Sequence, residues 1–126
     1  MPRLVALIAI LAGFALHAYT MIFEGAGGPN AFGVGLMLFS WLPYIACAVL
    51  LALTRNALAA GCGAIMAVLF DLSIFYSVFI HPTSSTAALG LLFAPLWNLL
   101  LFGPLGAGIG WLIGRRRRPS ESALAR

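Results

Sequence analysis

Four long apolar runs separated by short polar breaks make up nearly the whole chain, and that pattern predicts four helices that cross a membrane. The first run extends from Leu4 to Phe23 and closes at Glu24-Gly25-Ala26-Gly27-Gly28-Pro29-Asn30, a cluster of turn-forming residues. The second extends from Ala31 to Leu53 and stops at Thr54-Arg55-Asn56. The third extends from Ala57 to Ile80, ahead of His81-Pro82-Thr83-Ser84-Ser85-Thr86, and the fourth from Ala87 to Gly114, where an arginine block begins. Each run has about 20 residues or more, enough at about 1.5 Å per residue to cross a hydrocarbon core of about 30 Å. None alternates in the manner of a barrel strand, and helices satisfy every backbone group within the segment. The expected fold is an all-α integral membrane bundle over residues 1–118, with a short disordered tail at 119–126. Arg3, the apolar core behind it and the small residues Gly13, Ala15 and Ala18 also fit a cleaved leader, but the continuation through Phe23 favours a retained span.

Composition supports this reading. Of the 126 residues 63% are hydrophobic and 8% charged, with a mean hydropathy of +1.06, whereas soluble domains carry about a quarter charged residues. The net charge of +4 does not point to nucleic acid, because every cation is an arginine flanking an apolar run or closing the tail. Arg3, Arg55 and the block Arg115, Arg116, Arg117 and Arg118 all fall at one end of an in-out-in-out-in path. The two opposite loops hold no lysine or arginine, so both termini are expected on the cytoplasmic side, with the block anchored among lipid headgroups.

Small residues predict how the helices meet. Gly106, Gly110 and Gly114 lie on one face of the fourth run, and Ala59, Gly63 and Ala67 on one face of the third. Such faces let backbones approach in lipid, either between these two helices or between copies of the chain. Pro43, Pro95 and Pro104 fall inside spans and predict kinks, above all at Gly103-Pro104. Ser84 or Ser85 is expected to cap the fourth helix. A tandem repeat is also suggested. Tyr19-Thr20-Met21-Ile22-Phe23 resembles Tyr76-Ser77-Val78-Phe79-Ile80, and Leu38-Phe39-Ser40 resembles Leu92-Phe93-Ala94, at offsets of about 57 and 54 residues.

Polar residues within the runs are few. Asp71 is the one acid inside a span, near mid-membrane, where it must face protein or water or be protonated. Counting along the first and third helices puts His17 and Asp71 at one depth, about 20 Å from the arginine end. Ser40 projects to a similar level and Asn98 slightly nearer the arginines, with Tyr44 or Tyr76 as further members. This set has two readings: interhelical hydrogen bonding that fixes helix neighbours, or a proton-binding pair able to exchange protons near neutral pH. His81 is expected at the opposite water interface, and Trp41, Trp97 and Trp111 as packing and interface anchors. Cys47 and Cys62 read as small buried hydrophobes. No metal-ligand cluster, haem ligand pair, phosphate loop, nucleophile elbow or paired carboxylates occur, so neither a cofactor nor an enzymatic activity is expected.

The stretch Ser84-Ser85-Thr86-Ala87-Ala88-Leu89-Gly90, continuing to Pro95 and Trp97, resembles a run entering the last helix of small uncharacterised bacterial membrane proteins. The resemblance covers about a quarter of the chain and implies a bacterial inner-membrane protein without implying an activity. The first span has no glutamate of the kind that marks small multidrug transporters, and the charge bias is too strong for a dual-topology fluoride channel. The expected function is action by association in the bilayer, as an accessory subunit of an unidentified membrane partner or as a homo-oligomer. The alternative, from a different class, is a small oligomeric proton-coupled transporter or channel using Asp71 and His17.

Overall fold

A computed structural model describes residues 1–25, 30–54, 56–82 and 84–117. Helix α1 (Pro2–Tyr19) runs into a wide π turn at Thr20–Glu24, α2 spans Ala31–Thr54, and α3 (Ala57–Phe75) runs into a second π turn at Tyr76–Ile80. The fourth span consists of α4 (Ala87–Trp97), a π turn at Asn98–Phe102, and α5 (Gly103–Arg117). No strand occurs among the described residues. All four spans have the length and hydropathy to cross a bilayer, and large apolar side chains such as Leu11, Leu53 and Leu100 cover the outside of the bundle. The chain is a small multi-pass membrane protein. The expected tail at 119–126, together with Arg55 and Arg118, lies outside the described residues.

Local chemistry sets the helix starts. Pro2 opens α1, where its missing N–H costs no hydrogen bond. The Asn56 side chain accepts from the Ala59 amide at 3.2 Å and caps α3, and Asn30 accepts from the Gly33 amide at 2.7 Å at the start of α2. The cap expected from Ser84 or Ser85 does not form. Thr86 occupies the N-cap without a side-chain bond to the helix, and the Ser84 hydroxyl lies 3.3 Å from that of Thr86 instead. Helix α2 continues unbroken through Pro43, and Pro95 lies within α4. The break expected at Gly103-Pro104 takes the form of the third π turn, in which the Gly103 amide donates to the Asn98 carbonyl. The wider turn re-routes the backbone bonds just where Pro104 has no N–H to give.

Helix α3 lies at the centre and packs against α1, α2, α4 and α5. Its buried positions Ala57, Ala60, Ala64, Ala67 and Asp71 alternate in steps of three and four, so they form one stripe along the helix. Helix α5 closes on α3 through glycine. A Cβ at Gly106 would fall 2.5 Å from the Cys62 carbonyl oxygen, and one at Gly110 would overlap that of Leu58. Gly63 faces the Gly103 carbonyl and Cys47, and Gly114 faces Leu58. The glycine faces therefore meet each other within the chain, backbone to backbone. At the arginine end Trp111 lies under the Arg115 guanidinium, 5.3 Å from ring centroid to charge, and Arg115 and Arg116 are exposed.

Candidate functional site

The α3 stripe ends in a carboxylate. After four alanines the next buried position is Asp71, 4% exposed, and three helices supply its partners. His17 Nε2 donates to Oδ2 at 2.9 Å from α1, and the Tyr44 hydroxyl donates to the same oxygen at 2.5 Å from α2. From the π turn of the fourth span, Asn98 Nδ2 donates to Oδ1 at 2.7 Å and to the Ala67 carbonyl at 3.3 Å. Two acceptors on one amide nitrogen fix the orientation of Asn98, and three donors on one carboxyl group match an ionised acid, which only accepts. The acceptor also requires the proton of His17 on Nε2, and Nδ1 makes no hydrogen bond among the described residues.

Tyr44 reaches Asp71 because Gly13 leaves room for its ring. A Cβ at Gly13 would overlap the Tyr44 ring carbons, so any larger residue would occupy the ring's place. Phe14 packs edge-on against Trp41 and tilted against Tyr44. Sequence reasoning missed Gly13, and it left Tyr44 and Tyr76 as alternatives. The structure chooses Tyr44, while Tyr76 is exposed at 53% and stacks on His81. Ser40 is buried at the expected level but makes no hydrogen bond to Asp71. Cys47 is buried, Cys62 half-buried, and both are free thiols.

Above Asp71 the bundle opens. A cavity of about 350 Å³ reaches from His17, Ser40 and Asp71 at its floor to Glu24, Gly25 and Asn30 at the ends of α1 and α2. Phe32, Met37, Phe75 and Phe79 contribute to its walls. Among the described residues its charged or titratable lining groups are Glu24, Asp71 and His17, with no arginine. The His17 side chain retains 13% exposure, so the ion pair touches this space instead of being sealed from it. Among the described residues no group of three potential metal ligands occurs.

The suggested repeat maps onto the site. One 54-residue step carries His17 to Asp71 (71 − 17), Tyr44 to Asn98 (98 − 44) and Ser40 to Ala94 (94 − 40). The first two pairs form the polar cluster, and both members of the third line the cavity. The segments alike in sequence near Tyr19 and Tyr76 both contain a π turn. The symmetry is partial, since α3 packs against every other span whereas α1 packs on α2 and α3. No family model, curated protein or solved structure matches the chain.

Proposed function

We propose that the protein is a small proton-coupled transporter of the bacterial inner membrane, with both termini cytoplasmic and its cavity open to the outside. The observation that carries this reading is the His17–Asp71 pair at the floor of a cavity that opens at one end of the bundle. A carboxylate needed only for helix packing gains nothing from contact with a solvent-sized space, whereas a proton carrier needs that contact. The pair holds one proton on Nε2 and has Nδ1 left to take a second. Arg3 and the arginine block supply the cytoplasmic anchor. Action by association draws its sequence support from the glycine faces, and Gly63, Gly106 and Gly110 are already engaged within the chain.

Purified protein in liposomes carrying an internal pH indicator tests the proposal. Under an imposed proton gradient, solutes of different charge are added in turn. The expected outcome is a solute-dependent proton flux that Asp71→Asn and His17→Gln both abolish. A flux that survives Asp71→Asn in correctly inserted protein removes the site from the mechanism. No flux with any charge class of solute sinks the transporter reading.

A further inference from the structure

We infer that the cavity takes a lipophilic monovalent cation, an organic ammonium with an aromatic or branched apolar body, and exchanges it for one proton at His17. This rests on the transporter reading and names its substrate class. The first ground is charge. The described lining holds acids at both ends, Glu24 at the rim and Asp71 at the floor, and no arginine. An anion entering this space would meet two carboxylates, and the one cation the lining can form, the His17 imidazolium, is already paired with Asp71.

The second ground is the surface between those acids. Phe32, Phe75 and Phe79 line it together with Met21 and Met37, residue types that suit an apolar body and, in the aromatics, a cation. The volume of about 350 Å³ falls in the range of pockets that hold one small organic molecule, about 300–1,000 Å³.

The third ground is neutrality at mid-membrane. Groups facing Asp71 are His17 from α1, Tyr44 from α2 and the uncharged Asn98 from the fourth span. Cys47 lies nearly one turn beyond Tyr44, Glu24 is at the far rim, and α3 itself adds no other titratable group here. With His17 doubly protonated, the imidazolium and the carboxylate sum to zero. When an ammonium arrives, the Nδ1 proton leaves through the cavity to water, and the imidazole keeps its Nε2 proton on Asp71. The site again sums to zero, because the ligand's charge has replaced the proton's. A site that is neutral in both states avoids the cost of holding net charge in hydrocarbon. The carboxylate has about four acceptor positions and uses three, so one side remains for the cation.

Benzyltrimethylammonium is a suitable probe, compared with benzyl alcohol and benzoate by equilibrium dialysis against protein-loaded and empty nanodiscs. The expected result is saturable binding of the cation alone, weakening by about tenfold or more between an alkaline and an acidic buffer as the proton competes. Asp71→Asn abolishes that binding. Leu36→Trp, which puts a larger side chain at a lining position outside the hydrogen-bonded cluster, does the same in a protein that still elutes as folded. Preferential binding of benzoate or benzyl alcohol, lost in Asp71→Asn, overturns the cation class while leaving a proton-linked solute site standing. Cation binding unchanged by pH or by either substitution overturns the class and the reading beneath it together. Absence of binding by all three probes overturns the class, and the proton-flux experiment then decides the transporter reading separately.

Discussion

Between Ala57 and Ala67, α3 offers its neighbours only alanine and glycine at its most buried positions, and α5 answers with Gly106 and Gly110. From Asp71 onward the same helix turns Ile74, Phe75 and Val78 toward its neighbours, and a cavity opens among them. Backbones that touch leave no gap for a side chain or a solvent molecule to fill. Bulky residues hold helices apart, and they fill the space between only if their shapes interlock. The wide turns at Thr20–Glu24 and Tyr76–Ile80 occur in the open half alone, and the third, at Asn98–Phe102, sits at the boundary beside Asp71. Wide turns of this kind are common at functional positions, because each adds a residue and rotates the next stretch of helix about its axis. One half thus fixes the geometry of the bundle, and the other holds the space in which chemistry can occur.

Substitutions can break that contrast. The largest effect is expected for Gly110→Val, because a side chain there meets the Leu58 carbonyl and α3 backbone, which have no rotamer to change. The cost should reach about 3 kcal/mol or more, at the upper end for overpacked sites, and appear as loss of the folded species in a detergent-denaturation titration. A folded Gly110→Val protein would show that α5 is free to move away from α3.

Next comes Gly13→Ala at the boundary. The added methyl displaces Tyr44 from Asp71, at a cost of about 1–3 kcal/mol. Tyr44→Phe removes the hydroxyl without a clash and should cost about 1.5–3 kcal/mol, the range for a hydrogen bond to a charged group. In the double variant the two losses should fall short of their sum, since both act on one hydrogen bond. Additive losses would mean that Gly13 does not act through Tyr44.

The smallest effect belongs to Gly35→Ala in the open half, where nothing lies within 4 Å of the new methyl. Helix propensity favours alanine by up to about 1 kcal/mol, so this variant should match or exceed the parent in the same titration. A destabilised Gly35→Ala would reveal a close neighbour on that face of α2.

The four spans were legible from run length and hydropathy, since the bilayer imposes a minimum on both. The level of the polar cluster was legible too, because a fixed rise per residue turns position in the chain into depth. Depth does not give direction around the helix axis. For that reason Ser40 and Tyr44 could not be separated by counting, though only Tyr44 bonds to Asp71. The deciding residue, Gly13, sits on a different helix and signals nothing except the absence of a side chain. The cavity was illegible for a related reason: empty space arises where bulky residues fail to interlock, which no local pattern records.

The division of the polar cluster between the two halves of the chain bears on how the protein is made. His17 and Tyr44 belong to the first hairpin, and Asp71 and Asn98 to the second. On insertion scales an aspartate at the centre of a helix carries a penalty of about 2.5–3.5 kcal/mol. Synthesis from the amino end delivers two donors to the membrane before α3 brings the acceptor, and Asn98 arrives last to close the set. A nascent α3 therefore enters beside a hairpin already able to receive its carboxylate, so that translation order itself shortens the time the acid spends without a partner.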